Sequence, residues 1–388
     1  MGKWKECIIG DIGTVVGGAT PSTKKIDNYE NGTIAWITPK DLSNFSGRYI
    51  SRGERNITET GLKSCSAQLM PKNSVLFTSR APIGYVAIAE NEVCTNQGFK
   101  SVVPNENTDF LFLYYLLKYN KENIENMGSG TTFKEVSGKT MREIVVKVPE
   151  TIEEQHKIAE ILGTIDDKIE ENVKINKNLE EQAIALYKAN FIDFVPYDGK
   201  MPSSWRQGTV SEIIEIHDSK RIPLSNRERS DLDKIYPYYG ATSIMDYVDK
   251  YLFDGIYLLL AEDGTVMDDR GYPILQYVEG KFWVNNHAHI LTGKNGYTVE
   301  LLYLLFKLTN VKSIITGAVQ LKISQANLRN LSVVIPTQAN LREIDAIIQP
   351  LFSEIRNLCA ENQRLSAIRD ALLPKLMSGE IDVSNIDI

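Results

Sequence analysis

The residues most able to do chemistry lie in the second half of the chain. Asp268 and Asp269 are followed by Glu279 and Lys281, and acids and a lysine in this order can hold Mg²⁺ and activate water for phosphodiester cleavage. A Glu-x-Lys triplet after an Asp is common by chance, and the first half of the chain carries nothing similar. A Mg²⁺-dependent nuclease that uses Asp269, Glu279 and Lys281 is therefore kept as an alternative hypothesis.

The other motifs that could carry chemistry are incomplete. Ser137–Thr140 matches the end of a phosphate-binding loop, but Phe133 stands where that loop needs its first glycine. His287 and His289 could share one face of a strand as metal ligands, yet the sequence offers no third ligand nearby. The Gly-rich and Asn/Asp-Pro-Pro-aromatic motifs of methyl-transferring enzymes are also missing. We expect no catalytic residue, no metal and no cofactor in this chain.

The charge of the 388-residue chain is distributed unevenly. Of the net charge of -7, residues 150–193 contribute -6 and residues 338–388 contribute -3, which leaves +2 for the rest. The remaining, globular parts are slightly basic, and this permits DNA binding by those parts. The longest apolar stretches, such as Ile256–Ala261, are too short to span a bilayer. With four scattered cysteines and no C-x-x-C pair, we expect reduced thiols and a cytoplasmic protein.

An internal repeat organises the chain. Trp4 and Trp205 open two similar halves, and Gly130–Pro149 aligns with Gly317–Pro336 without a gap. The identities within this alignment are Gly130/Gly317, Ser137/Ser324, Arg142/Arg329, Val146/Val333 and Pro149/Pro336. The globular parts combine short β-like runs with one helical pattern each, at Phe110–Asn120 and at Val299–Leu308. The repeat predicts two copies of one α+β domain.

Each half ends in a helical pattern with apolar residues at alternating spacings of three and four, typical of a coiled-coil seam. About forty residues would make a helix of roughly 60 Å, too long to pack on one small domain. Asn176 and Asn362 fall at equivalent positions, where a buried Asn fixes the register. The predicted seam residues are Ile158, Leu162, Ile165, Ile169, Asn176, Leu179, Leu186, Ile344, Ile348, Leu351, Ile355, Asn362, Leu365, Leu372 and Leu376. Two helices that alternate with two domains favour an antiparallel coiled coil.

Several segments together carry a resemblance to a known family. They are Val75–Gly84, Asn96–Phe99, Gly128–Pro149 running into Glu154–Ile158, and Leu372–Gly379. In this order, within a duplicated domain-and-helix layout, the chain resembles the specificity subunits of type I restriction-modification enzymes over essentially its whole length.

The resemblance implies two pseudo-symmetric mixed α/β target-recognition domains, at 1–150 and 195–337, and two coiled-coil helices, at 151–194 and 338–388. Each domain would read half of a split site in double-stranded DNA. The helices would set the spacing and dock two methyltransferase subunits, through which restriction subunits bind. The resemblance also implies that S-adenosylmethionine, ATP and Mg²⁺ belong to those partner subunits.

Residues for DNA contact are sought among polar side chains in loops, because bases and phosphates are read by such donors and acceptors. The candidates are Lys24, Lys25, Lys40, Arg52, Arg80, Thr131, Thr132, Lys134, Lys220, Arg221, Arg227, Tyr239, Arg270, Gln320 and Lys322. The equivalent loops around Gly130 and Gly317, each followed by polar residues and a lysine, are the best candidates to enter a groove. A coiled-coil scaffold with no role in DNA binding is the third hypothesis.

Overall fold

The computed structural model describes residues 3–43, 45–130, 134–317, 319–384 and 386. The chain divides into two compact units. Unit 1 comprises residues 1–171 and 361–388, and unit 2 comprises residues 172–360.

The described residues of unit 1 form ten strands and seven α-helices that begin in this unit. The strands are β1 Trp4–Ile8, β2 Gly13–Gly17, β3 Ile34–Ile37, β4 Tyr49–Ile50, β5 Asn56–Ile57, β6 Val75–Phe77, β7 Val86–Ala89, β8 Val93–Thr95, β9 Lys100–Pro104 and β10 Val145–Pro149. The helices are α1 Ile9–Ile12, α2 Pro39–Ser43, α3 Glu59–Lys63, α4 Phe110–Tyr119, α5 Lys121–Asn126, α6 Gly138–Glu143 and α7 Ile152–Phe191. Helix α7 continues into unit 2.

A mixed sheet and one apolar helix form the centre of unit 1. Five strands lie in the order β2-β9-β6-β7-β4, and a smaller sheet has the order β5-β3-β8. Helix α4 packs on β6 and β7, and its residues from Phe112 to Leu117 are all buried. The Asp109 carboxylate caps this helix by accepting from the Phe112 amide at 2.7 Å. The predicted helix at Phe110–Asn120 is confirmed.

Unit 2 has the same kinds of element. Its strands are β11 Arg206–Thr209, β12 Ile214–Ile216, β13 Tyr236–Tyr239, β14 Ile244–Val248, β15 Phe253–Ala261, β16 Leu275–Val284, β17 Ala288–Gly293, β18 Ile315–Thr316, β19 Lys322–Ile323 and β20 Ser332–Ile335. Its helices are α8 Asn226–Ser230, α9 Val299–Lys307, α10 Gln325–Arg329 and α11 Gln338–Met377, which continues into unit 1. Six strands form a mixed sheet in the order β12-β17-β15-β16-β13-β14, covered by α9.

The repeat in the sequence has a structural counterpart in the two units. Strand β1 pairs antiparallel with β10, and β11 pairs antiparallel with β20. The hydroxyl of Ser137 caps α6 by accepting from the Thr140 amide at 3.0 Å, and that of Ser324 caps α10 by accepting from Asn327 at 3.1 Å. The serine shared by both halves is therefore explained by an equivalent helix start.

The long helices α7 and α11 pack against each other in antiparallel orientation. Within unit 1, the Arg369 guanidinium lies 2.7 Å from the Asp166 carboxylate, and the Asn362 amide donates to the Ile169 carbonyl at 3.4 Å. Within unit 2, the Asn176 amide donates to the Cys359 sulfur at 3.4 Å. Residue numbers rise along one helix as they fall along the other. The prediction of an α+β fold with two paired long helices is confirmed.

All fifteen predicted seam residues are buried or half-buried, and near the ends of the two helices they share a core with a globular part of each unit. Ile158 and Leu162 pack into the core of unit 1 beside α4. Ile344 and Ile348 pack into the core of unit 2. The spacing of apolar residues is the same for a helix on a helix and for a helix on a domain, so the sequence could not separate these two environments.

Candidate nucleic-acid interface

A short loop in unit 1, which we call hairpin 1, is closed by Ser129 and Glu135. The Ser129 amide donates to the Glu135 carbonyl at 3.0 Å, and the Glu135 amide donates back at 2.9 Å. Gly130 has a φ of +124°, a conformation that favours glycine. Lys134 is exposed. Thr131 and Thr132 lie outside the described residues.

The corresponding loop in unit 2, hairpin 2, is formed by β18 and β19. Thr316 pairs with Lys322, and Ile315 pairs with the fully buried Ile323. Gly317 has a φ of +92°, and a Cβ there would clash with the Gln320 carbonyl oxygen. Backbone geometry thus explains why both loops begin with glycine.

The two hairpins hang on equivalent backbone hydrogen bonds. The Val136 amide donates to the Ser79 carbonyl at 2.9 Å in unit 1, and the Ile323 amide donates to the Glu262 carbonyl at 2.8 Å in unit 2. One residue earlier in each hairpin stand Glu135 and Lys322. The two candidate lysines are therefore not equivalent, because the counterpart of Lys322 is Glu135 and Lys134 lies one residue earlier.

The charges at the base of the hairpins are inverted between the two units. In unit 1, Glu135 forms an isolated antiparallel β-bridge with Arg80 through the backbone. The side chains also form an ion pair, with Nε of Arg80 3.0 Å from the Glu135 carboxylate. In unit 2, Lys322 forms an isolated antiparallel β-bridge with Asp263 through the backbone. Its ammonium lies 3.1 Å from the Glu262 carboxylate. Arg80 and Lys322 are both about half exposed. A half-exposed cation thus lies at the base of each hairpin. Arg80 lies on the segment that faces hairpin 1, whereas Lys322 lies on hairpin 2 itself.

Behind hairpin 2 lies a set of charged residues that we call the Asp218 network: Asp218, Arg221, Glu262, His289 and Lys322. The Arg221 guanidinium contacts Glu262 at 2.7 Å and Asp218 at 3.3 Å. His289 is fully buried, with Nδ1 2.6 Å from Asp218 and Nε2 2.8 Å from the Ile323 carbonyl. A carboxylate and a carbonyl only accept, so both ring nitrogens are placed to donate.

The network keeps its two carboxyl groups ionised. Burial alone would raise the pKa of Asp218, but the hydrogen bond and charge of His289, the Ile290 amide and the charge of Arg221 together hold that pKa below its usual value. Burial likewise opposes ionisation of Glu262, whose pKa is lowered overall by Arg221, His289 and Lys322. A carboxyl group with a lower pKa in the folded state stabilises the fold above its unfolded pKa, and this stabilisation is lost as the pH falls through its folded pKa.

The lowered pKa of Asp218 predicts how the stability of an Asp218→Asn variant depends on pH. We expect the variant to unfold at a lower temperature than the wild type at neutral pH, and the difference to narrow below about pH 4, where an Asp in the unfolded chain titrates. Thermal unfolding of both proteins between pH 7 and pH 3 measures this difference. A difference that stays constant over the whole range would show that ionised Asp218 does not contribute to stability.

The other candidate DNA-contacting residues have varied surroundings. Lys24, Lys25, Arg52, Lys220, Arg227, Arg270 and Gln320 are exposed in loops or short helices. Lys40 is also exposed and pairs with Glu54 at 2.6 Å. Tyr239 is half-buried and packs edge-on against Phe282, with ring centroids 5.7 Å apart. Arg221 donates into the Asp218 network and to the carbonyls of Asn286 and Ala288, which gives it a structural role.

The acids and lysine of the nuclease hypothesis point to other partners. Glu279 lies 3.6 Å from the Arg356 guanidinium, and the Lys281 ammonium lies 4.8 Å from the centre of the Tyr251 ring. Among the described residues, the group with metal-ligand spacing is Asp218, Glu262 and His289. Arg221 and Lys322 already supply cations to these groups, so the arrangement fits an internal ion network better than a metal site.

Sequence reasoning missed Asp218 and Glu262, and it treated His289 without its partners. The sequence offered His289 only as a possible metal ligand beside His287, and the structure makes it a core residue bonded on both sides. A signal for Glu262 was present in the sequence, because the segment Ala261–Gly264 departs from Thr78–Ala81 at the corresponding place in the first half. Among the described residues, no helix is both long and apolar enough to cross a membrane.

Comparisons with known proteins match both halves of the chain. The model of the type I restriction modification DNA specificity domain matches residues 1–181 and 202–367. The MjaIX type I restriction enzyme specificity subunit of Methanocaldococcus jannaschii is 36% identical over 416 residues, covering 99% of this chain and 94% of the relative. The EcoR124I/EcoR124II specificity subunit of Escherichia coli is 30% identical over 202 residues, covering 50% and 48%.

A solved structure has the same fold. The crystal structure of the type I restriction-modification S subunit from M. genitalium superposes with a TM-score of 0.60 and 18% identity, covering 97% of this chain and 96% of that one. Similarity in sequence and in fold thus extends over both units and both long helices.

Proposed function

The chain belongs to the type I restriction-modification DNA specificity family, and on that premise we propose that it reads a two-part DNA sequence on behalf of methyltransferase partners. A specificity subunit is itself non-catalytic, so the nuclease hypothesis built on Asp269, Glu279 and Lys281 is wrong. Membership of a DNA specificity family also argues against a coiled-coil scaffold with no role in DNA binding.

The observation that supports a two-part site is the pair of equivalent hairpins, one in each unit. Both are held by equivalent backbone hydrogen bonds, and a cation lies at the base of each, Arg80 on the segment that faces hairpin 1 and Lys322 on hairpin 2 itself. The opposite placement of these cations gives the two hairpins different patterns of charge and donors. We infer that each hairpin enters a groove of its own half-site and that the two half-sites differ in sequence.

The exposed candidate residues are proposed for phosphate and base contacts. A cation on a loop neutralises phosphate, whereas amide and hydroxyl groups at a hairpin tip can pair with base edges. Lys134 and Lys322 are proposed for phosphate, and Gln320 for a base edge. Lys24, Lys25, Lys40, Arg52, Lys220, Arg227 and Arg270 are proposed as further phosphate contacts.

The paired helices α7 and α11 are proposed to set the distance between half-sites and to dock two methyltransferase subunits. Restriction subunits would join through the methyltransferases. Adenine methylation with S-adenosylmethionine, and cleavage with ATP and Mg²⁺, would then occur on those partners. The complex would act on DNA in the cytoplasm.

Single lysine substitutions test the hairpin assignment. In the assembled enzyme, Lys134→Ala and Lys322→Ala should each weaken binding to the target duplex and lower the slope of log affinity against log salt by about one, as expected for the loss of one phosphate contact. Binding is measured by fluorescence anisotropy from 50 to 300 mM salt. Lys63→Ala on α3, an exposed lysine outside the hairpins and the long helices, is the control and should change neither quantity.

Unaltered affinity and slope for both hairpin variants would remove these lysines from the interface. If the assembled wild-type enzyme bound no duplex in preference to random DNA, the proposed function itself would fail.

A further inference from the structure

The Asp218 network lies directly behind hairpin 2, and it contacts both residues of strand β19 and a residue just after that strand. The Lys322 ammonium contacts Glu262 at 3.1 Å, and the Ile323 carbonyl accepts from His289 at 2.8 Å. Just beyond the strand, the Gln325 amide donates to Asp218 at 2.6 Å. The strand is therefore held by side chains as well as by its backbone pairing.

So many charged side chains are unusual in a protein core. Asp, Glu and Arg are seldom buried unless they are paired, and a fully satisfied buried network holds one arrangement of its members. Here the side chains of Asp218 and His289 are 3% and 0% exposed. Asp218 accepts from His289, Gln325 and the Ile290 amide, and the Arg221 guanidinium lies 3.3 Å from its carboxylate, so both carboxylate oxygens have a partner.

The side of the network that reaches the surface is the hairpin side. Lys322 is about half exposed, whereas the other four members are buried or nearly so. The tip beyond it presents Val319 and Gln320, both exposed. Any shift of Asp218 or His289 would thus be passed to the strand that carries these tip residues.

We propose that Asp218 and His289 are positioning residues for sequence readout by unit 2: the buried network fixes hairpin 2 so that its tip and Lys322 meet the bases and phosphates of one half-site. This inference rests on the proposed function and adds to it the part of the core that controls one half-site. Unit 1 uses a different support, in which Glu135 contacts Arg80 at 3.0 Å and Lys100 at 3.7 Å. Disturbing the network should therefore affect one half-site and spare the other.

The test compares two carboxylate-to-amide changes within unit 2. Asp218→Asn alters the network, and Glu300→Gln alters another buried carboxylate, which contacts Tyr277 and Arg356 at 2.6 and 3.0 Å away from hairpin 2. Each variant is assembled with the methyltransferase subunits, and methylation is scored on a library of duplexes with every single-base change in the target. Thermal unfolding of each variant is measured alongside.

Asp218→Asn should lower the preference for the correct base roughly tenfold in one half-site, about the value of one good base contact, and leave the other half-site unchanged. Glu300→Gln should leave both half-sites as sharp as in the wild type. The milder Gln325→Ala, which removes a single hydrogen bond from an exposed residue, should relax the same half-site by a smaller factor and keeps the test valid if Asp218→Asn does not fold.

Equal loss in both half-sites, an equal effect of Glu300→Gln, or full discrimination by Gln325→Ala and Asp218→Asn would overturn the inference. These outcomes are distinct from failure of the proposed function, in which the wild type itself would show no two-part preference.

Discussion

Deleting one heptad from the middle of each long helix should shorten the gap between the two half-sites of the methylated sequence by about three base pairs. Seven helical residues span about 10 Å, and the base pairs of DNA rise by ~3.4 Å each. Removal of a whole heptad keeps the apolar seam on the same face, so the two helices can still pair. The expected change is a new spacing, with the bases of both half-sites unchanged.

Residues 171–177 and 357–363 are the segments to delete. Deleting these segments does not remove the contacts that join each helix to a globular core. These contacts are Arg48 with Glu170 at 2.9 Å in unit 1 and Glu180 with Tyr303 at 2.5 Å in unit 2. The deletions do remove both partners of the cross-helix contact between Asn176 and Cys359. A variant of full length, Lys174→Ala with Lys177→Ala, serves as the control and should keep the original spacing.

The spacing is measured by mapping methylated adenines after expression with the methyltransferase subunit. If the shortened chain methylated sites with the original gap, the helices would not be the spacer.

Asp166→Ala should destabilise unit 1 more than any surface change. The carboxylate of Asp166 on α7 accepts from the Tyr115 hydroxyl at 2.7 Å and from Arg369 on α11 at 2.7 Å, and the Tyr115 side chain is fully buried. Burial and the neighbouring Asp166 carboxylate raise the pKa of Tyr115, which therefore stays a neutral donor. The substitution leaves the buried Tyr115 hydroxyl without its acceptor and removes the more buried of the two carboxylates that pair with Arg369.

Removing one partner of a buried ion pair costs about 3–5 kcal/mol. For a unit of this size the midpoint of thermal unfolding should fall by roughly 10 °C. The matched control is Asp370→Ala, because Asp370 also contacts Arg369, at 2.8 Å, but is 65% exposed. An exposed pair contributes about 0–1 kcal/mol, so the control should unfold within a few degrees of the wild type. Similar midpoints for the two variants would show that Asp166 does not hold the helices to the core.

The sequence predicts the features that are set by local rules. Ser137 and Ser324 recur because both start a helix, and Gly130 and Gly317 recur because both take a backbone conformation that favours glycine. Apolar spacing likewise predicts both long helices and places all fifteen seam residues where contact with water is reduced.

Features that depend on contacts between distant parts of the chain could not be predicted in this way. Asp218 and His289 are 71 residues apart, and only the pairing of β12 with β17 brings them together. The pairing of Lys322 with Glu262 and the internal role of Arg221 depend on the same sheet.

The claim on which the rest depends is that one chain specifies two separate stretches of DNA. It is tested most directly by expressing this chain with its methyltransferase subunit in a host that lacks other adenine methylation and locating every N6-methyladenine by single-molecule sequencing. We expect two short defined segments separated by a fixed number of unspecified bases. A single uninterrupted motif, or unmethylated DNA from cells in which the complex is assembled, would contradict the account.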